Sequence, residues 1–214
     1  MRITKFGHSC LLVEEDEARI LIDPGSWTSA QNGLKNLDVI LITHEHNDHC
    51  DLASIQALLA GNPGVVILTN SGVKKKLAAA GIAGQILEDG ASTQVKGVKI
   101  LACGRDHAVI YETIPPVANT GYLIAERFFA PGDTVTAIPP QPVEILALPV
   151  VAPWTKLAEC LDYARKIKPQ VCFPVHDGMA KEGAFDKHPQ NILPGFGIEV
   201  VIPQPGVPMD FQPF

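Results

Sequence analysis

Between Thr43 and Asp51 the chain reads Thr-His-Glu-His-Asn-Asp-His-Cys-Asp, which puts three histidines and two aspartates within nine residues. Imidazole has no special value in a turn. Its value lies in metal binding and in proton transfer near neutral pH. Two more histidines stand just past apolar runs, His107 in Gly-Arg-Asp-His-Ala and His176 in Phe-Pro-Val-His-Asp-Gly, and Asp133 holds the same kind of place in Pro-Gly-Asp-Thr. Any one of these histidines alone reads best as a packed or hydrogen-bonded structural residue. The cluster reverses that reading, because one ion draws ligands from several segments and these residues are the available donors. The chemistry to expect is a metal site centred on residues 44–49.

Such a site needs elements to hold it. The apolar, β-branched run over 37–42 reads as a strand that delivers the cluster to its C-terminal end. Before it, residues 3–6, 10–14 and 18–23 read as short strands, and the polar turn 14–17 predicts an antiparallel start. Pro24 and Gly25 stop the third strand, since proline cannot donate to the ladder. The loop 26–36 carries Trp27, which suits either a packing contact or a pocket wall. Asp51 is placed to cap a helix over 52–60, and Asn70 or Ser71 to cap a second over 73–80, each stopped by glycine. Residues 65–69 read as a buried strand between these helices. Strands return over 86–104, most clearly at 98–102, and a hairpin follows over 120–125 and 127–130. Beyond it lie a strand over 143–148, a helix over 155–167 with Arg165 and Lys166 at its C-terminal end, a strand over 171–175 and a last one over 198–202. Each half runs from strands to strand–helix units. That order predicts an α/β fold with two sheets packed face to face and helices on both outer faces, a four-layer αββα sandwich.

Composition sets the outer limits. A chain of 214 residues with 46% hydrophobic content, no repeat of solenoid length and no proline-rich linker predicts one compact domain over residues 1–214. A formal charge of -6 argues against a nucleic-acid surface. The one basic run, Lys74-Lys75-Lys76, reads as the solvated face of a helix. The five cysteines are odd in number and widely spaced, with no CxxC pair, so they are expected to be reduced, buried and inert. No stretch approaches the roughly 18 apolar residues that span a bilayer, and the first residues lack a cleavable-signal pattern. The expected location is the cytoplasm, without a membrane, and the expected partner is a small-molecule substrate. Oligomeric state stays open.

The succession His44-x-His46-x-Asp48-His49, then His107, Asp133 and His176, resembles the ligand set of the metallo-β-lactamase-fold superfamily. The resemblance runs from Leu21-Ile22-Asp23-Pro24 through His176. Within that superfamily, Phe6-Gly7-His8-Ser9 and Pro174-Val175-His176-Asp177-Gly178 are similar to the small L-ascorbate-6-phosphate lactonase-like branch. It implies two divalent ions, one held by His44, His46 and His107, the other by Asp48, His49 and His176, with Asp133 between them. Alternate residues of an extended loop point the same way, so His44 and His46 sharing one ion is physically reasonable. Zinc is the first expectation, and manganese or iron suits the same donors.

The implied catalytic residues are Asp48 and Asp133. Water bridging two such ions becomes hydroxide near neutral pH, which implies hydrolysis of an ester, lactone, amide or phosphodiester. Asp133 stands where antibiotic-degrading members place a cysteine, which points to the dinuclear hydrolase type. Asp23 is expected to orient a ligand or to cap its own turn. His8 is expected to line the site and His188 to lie on the surface. Trp27, Arg105, Tyr111 and Trp154 are candidate substrate contacts, with Arg105 suited to an anionic group. The competing readings are an iron-dependent, persulfide dioxygenase-like oxidoreductase, a nuclease (disfavoured by the acidic charge), and a metal-binding protein without catalysis.

Overall fold

The computed structural model describes residues 1–181, 184–185 and 187–213. The first half of the chain lays down strands β1 (Arg2–Gly7), β2 (Cys10–Glu15), β3 (Ala18–Ile22) and β4 (Val39–Ile42), helix α1 (Leu52–Gly61), strand β5 (Val66–Thr69), helix α2 (Ser71–Ala79) and strand β6 (Gln85–Ile86). The second half adds β7 (Ser92–Val95), β8 (Val98–Cys103), β9 (Gly121–Ile124), β10 (Phe128–Ala130), β11 (Ile145–Pro149), α3 (Leu157–Ile167), β12 (Val171–Val175), α4 (Lys187–Ile192) and β13 (Glu199–Val200). The last strand, β14 (Pro208–Asp210), returns to the first sheet beside β1. The sheets run β14-β1-β2-β3-β4-β5-β6 and β13-β12-β11-β10-β9-β8-β7, seven strands each.

Alternation along the strands builds three apolar layers. Val39 and Leu41 of β4 join Ile145 and Ala147 of β11 and Val171, Phe173 and Val175 of β12 in the layer between the sheets. The intervening residues point outward. Ile40 and Ile42 pack with Ile55 and Leu58 of α1 and Val73 and Leu77 of α2. Leu146, Leu148 and Cys172 pack with Cys160, Tyr163 and Ala164 of α3. This is the expected αββα sandwich. Strands buried on both faces explain why 39–42 and 171–175 read as continuous apolar runs.

Both sheets change from antiparallel to parallel partway across. In the first, β3, β4, β5 and β6 pair in parallel. In the second, β10, β11, β12 and β13 do the same. Parallel strands leave their C-terminal ends at one edge, and that edge receives the loops after β4, β10 and β12.

Most expected elements are present, with shifted ends. The Asp51 carboxylate accepts from the Ser54 amide at 2.9 Å and starts α1. Asn70 accepts from the Val73 amide at 3.1 Å, so α2 begins at Ser71, not at residue 73. Three differences have physical causes. The residues around His188 form the short helix α4, for which the sequence predicts no strand or helix, and His188 is exposed there as expected. Strand β14 has no apolar alternation of its own and exists because Arg2, Ile3 and Thr4 pair with Asp210, Met209 and Pro208. The last predicted strand, 198–202, is reduced to Glu199–Val200 at the sheet's edge. Among the described residues no helix is long and apolar enough to cross a membrane.

Phe173 sits at the middle of the inner layer, wholly buried, with ring centroids 5.9 Å from Phe128 and 6.3 Å from Phe211. Phe173→Ala leaves a cavity that three fixed strands cannot close. The expected loss is about 3–5 kcal/mol, read from a denaturant titration.

Candidate metal centre

His44 and His49 lie in the loop after β4, His107 after β8, Asp133 after β10 and His176 directly after β12. Their side chains converge. The Asp133 carboxylate has the Nε2 atoms of His49 at 3.1 Å, His176 at 2.9 Å, His107 at 3.4 Å and His44 at 3.7 Å. All five residues are buried. The four Nε2 atoms and Asp133 Oδ1 have no hydrogen-bond partner.

The far side of each ring explains this arrangement. His107 Nδ1 lies 2.5 Å from the Ala108 carbonyl and His176 Nδ1 lies 2.7 Å from the Val151 carbonyl. A carbonyl only accepts, so the proton of each ring is on Nδ1 and Nε2 keeps its lone pair. His49 Nδ1 donates to Asp23 Oδ2 at 2.8 Å. The Thr43 hydroxyl gives its hydrogen to that same oxygen at 2.8 Å and so accepts from His44 Nδ1 at 3.0 Å. The lone pairs of His44, His107 and His176 therefore face the Asp133 carboxylate with no hydrogen between them, and His49 joins them once its Nε2 proton is lost. Buried acceptors in that relation repel unless a cation lies among them. The donor set, imidazole nitrogen and carboxylate oxygen, fits a zinc-like divalent ion.

Three overlapping groups have ligand atoms within 4.8 Å of one another: His44, His46 and His107; His44, His49 and Asp133; and His8, Asp48, His49 and His176. All seven expected ligands are among them. His8 is the addition, and its chemistry is opposite to the other four. Its Nδ1 accepts from the Gly178 amide at 3.2 Å, which puts the ring proton on Nε2, 3.2 Å from Asp48 Oδ2. His8 is thus a donor to Asp48 and has no lone pair to offer on that side.

Charges follow the geometry. Burial pushes His8 down to about 4, so it is neutral at pH 7. Burial alone would raise Asp48, but the His8 hydrogen bond and the charge of His49 outweigh it and hold the carboxyl at about 2. Burial lowers His44, with His49 adding to the effect. Against burial, the carboxylates of Asp133 and Asp23 hold His49 well above the usual imidazole range. The proton that His49 carries in this state is one a metal ion would displace. Asp133 stays well below the usual carboxylate range despite burial, because His49, His44 and His176 surround it.

Local backbone conformation makes the convergence feasible. His8, Asp23 and His176 have left-handed φ of 47°, 49° and 57°. Each non-glycine residue held there costs about 1 kcal/mol or more, and such strain gathers where side chains must be aimed. Gly25 lies so close to the ligand loop that a Cβ would sit 1.7 Å from the Asp48 carbonyl oxygen. That contact, with the Ser26 amide bonded to the Asn47 carbonyl at 2.9 Å, seats residues 46–49 on the turn after β3. Buried Asn119 accepts from the Asp133 amide and donates to the Pro131 carbonyl, and the Trp154 indole donates to Asp133 Oδ2 at 3.0 Å.

Other sequence expectations divide. Trp154 lies against the centre, as expected, but as a donor that orients Asp133. Trp27 packs on His8 at a centroid distance of 4.3 Å. Asp23 is an orienting residue through His49 and Thr43. Arg105 is exposed and paired with Asp89 at 2.8 Å in a separate cavity with Asn70 and Glu88, so it does not line the trough above the centre. All five cysteines are free and buried, and burial pushes Cys50 and Cys103 up to about 11. Lys76 departs from the reading of its basic run. Its ammonium donates to the Glu45 carbonyl at 2.7 Å, to Asn47 Oδ1 at 2.8 Å and to the Cys50 carbonyl at 2.8 Å, pinning the ligand loop from α2. Only the neighbouring Lys74 and Lys75 are exposed. A lysine's partners in a distant loop leave no mark in its own sequence context.

With the geometry established, known proteins offer comparison. A domain model described as the Beta-lactamase superfamily domain matches residues 2–176. Protein Rv0786c of Mycobacterium tuberculosis is 34% identical over 86% of this chain and 87% of its own length. The UPF0173 metal-dependent hydrolase MJ1163 of Methanocaldococcus jannaschii is 25% identical over 97% of this chain and 99% of its own. Among solved structures, a protein of Parabacteroides distasonis thought to be a metal-dependent hydrolase superposes with a TM-score of 0.76 at 27% identity, covering 94% of this chain and 91% of that one. Igni18, a metallo hydrolase of Ignicoccus hospitalis, shares the fold with a TM-score of 0.75 at 22% identity over 99% of both chains.

Two expected outcomes test the local chemistry. Lys76→Met should destabilise the protein by about 2 kcal/mol in a denaturant titration, since three hydrogen bonds to a charged group disappear. Lys74→Met and Lys75→Met should each stay within about 0.5 kcal/mol. In metal-free protein, His8→Ala should raise the Asp48 carboxyl from about 2 toward its ordinary 3.8, read by carboxylate NMR titration. The sign is that of a depressed acid. Asp48's contribution to stability is present above its unfolded pKa and is lost as pH falls through about 2, and the variant loses it at higher pH.

Proposed function

The chain belongs to the β-lactamase superfamily, and from that premise we propose that it is a metal-dependent hydrolase with a two-ion centre. The observation that carries the reading is the set of buried, unpartnered acceptors around Asp133. His44, His46 and His107 would hold one ion and Asp48, His49 and His176 the other, with Asp133 reaching both. Relatives named metal-dependent hydrolases support hydrolysis as the activity. Zinc is the proposed metal, since imidazole and carboxylate donors suit it.

Bound there, the ions would polarise a substrate oxygen and bring the pKa of water from about 15.7 toward about 7. The chain's own residues do the rest. Asp23 and Thr43 fix the tautomers of His49 and His44, so both rings present lone pairs to the centre. Trp154 holds Asp133 by one oxygen. His8 donates to Asp48 and keeps it turned to the trough, where it would accept a hydrogen bond from the attacking water. Hydrolysis adds that water across an ester, lactone, amide or phosphodiester bond, and its proton leaves with the departing group. The small-molecule substrate reaches the centre through an open trough of about 330 Å³ lined by Trp27, Asp48, Ile110, Trp154 and Met179. The protein is proposed to work in the cytoplasm as a single domain, its cysteines all free.

The test is metal quantification of native protein beside a panel of ester, lactone, amide and phosphodiester substrates. Two ions per chain and hydrolysis of at least one class are expected. Asp133→Ala should lower kcat/KM by more than about a hundredfold, beyond the ten- to hundredfold typical of losing an orienting partner. Metal-loaded protein inert on every class, or equal activity after chelation, overturns the reading. Oxygen consumption with a persulfide in place of hydrolysis would transfer the site to iron-dependent oxidation.

A further inference from the structure

The loop 108–117 is the most apolar exposed segment of the described chain, with Val109 at 74%, Tyr111 at 60% and Ile114 at 45% exposure. Exposed apolar groups scattered singly are ordinary, but several on one loop mark a contact surface. Here they enclose something. A cavity of about 180 Å³ is walled by Ile110, Tyr111, Ile114 and Val117 and floored by His46 and His107. Those two histidines also line the trough, as does Ile110, so slot and trough adjoin at the rings of His46 and His107.

The charges around it are one-sided. Among the described residues, neither the slot nor the trough is lined by a lysine or an arginine, and Glu112 is the slot's charged member. Arg105 is engaged with Asp89 in another cavity. Lys5 is paired with Asp177 at 2.5 Å and, with Lys181, lines a third cavity on the far side of His8 and Trp27. A phosphate or carboxylate seated in the slot would therefore meet no lysine or arginine, and beside Glu112 it would meet repulsion; positive charge for an anion would come only from ions held at the centre itself.

We infer that the slot of loop 108–117 is the substrate's acyl subsite, taking a neutral alkyl or aryl group whose carbonyl reaches the centre between His46 and His107. This rests on the metal-dependent reading above and narrows it from four bond classes to acyl compounds with an apolar chain. Continuity with the centre selects the occupant, since anything seated in the slot covers His46 and His107. Each methylene that enters an apolar site is worth about 0.8 kcal/mol, close to fourfold in affinity.

The experiment uses metal-loaded full-length protein and two probes. Binding of acetyl-, butyryl- and octanoyl-hydroxamic acid is measured by calorimetry. Hydrolysis of p-nitrophenyl acetate and octanoate is compared with that of bis(p-nitrophenyl) phosphate. The octanoyl hydroxamate is expected to bind at least about tenfold more tightly than the acetyl one, and octanoate to exceed acetate in kcat/KM by a similar factor. In Ile114→Asn, a substitution at a half-exposed position that folding should tolerate, both ratios should shrink several-fold. Affinity that rises with chain length while no ester, lactone, amide or phosphodiester of the panel is hydrolysed supports the slot and overturns the hydrolase reading. Hydrolysis with flat or falling chain-length dependence, or preference for the phosphodiester, overturns the slot and leaves the hydrolase reading intact. Sedimentation that finds a dimer in the native protein and a monomer in Ile114→Asn assigns loop 108–117 to a second copy of the chain and likewise overturns the slot.

Discussion

Five ligand groups, the Nε2 atoms of His44, His49, His107 and His176 and the carboxylate of Asp133, are buried with each imidazole nitrogen within 3.7 Å of that carboxylate. Without a cation their lone pairs repel, and the proton that His49 carries is the compensation available within the cluster. Their coexistence depends on the sandwich, which brings the C-terminal ends of strands from both sheets to one edge. The inner apolar layer of Ile, Leu, Val and Phe side chains fixes the distance between sheets and so the spacing of the cluster.

Around that cluster the hydrogen bonds divide the histidines into two kinds. Four present a lone pair inward because their outer nitrogen donates to a carbonyl, a carboxylate or the Thr43 hydroxyl. His8 is turned the other way by a backbone amide, and its inward nitrogen carries the proton that Asp48 receives. Counting histidines misses this distinction. It comes from what lies behind each ring, and it separates a group able to bind a cation from one able only to steer a neighbour.

The ligand loop itself is held from three sides. Gly25 supplies close backbone approach, Lys76 supplies a charged donor from α2, and Asp51 ties the loop's end to α1. The strained residues His8, Asp23 and His176 sit where the chain leaves a strand and turns its side chain into the cleft. Their cost is spread over well-packed layers, which is how a fold tolerates strain at the place where chemistry needs direction.

By itself the sequence determined the elements and the donors. Short, β-branched apolar runs such as 39–42 and 171–175 read as buried strands, Asp51 and Asn70 are strong helix caps, and the spacing from His44 to His49 concentrates ligand chemistry too densely for a turn. Those signals are local, so they survive without coordinates. Tertiary structure decided everything that depends on partners far along the chain. It paired β14 with β1 across the whole sequence, moved Arg105 out of the trough and brought Lys76 into the ligand loop. It also gave His8 the opposite proton placement from the four histidines it resembles. An imidazole's role is set by the atom behind it, and for His8, as for His176 and His49, that atom belongs to another segment of the chain.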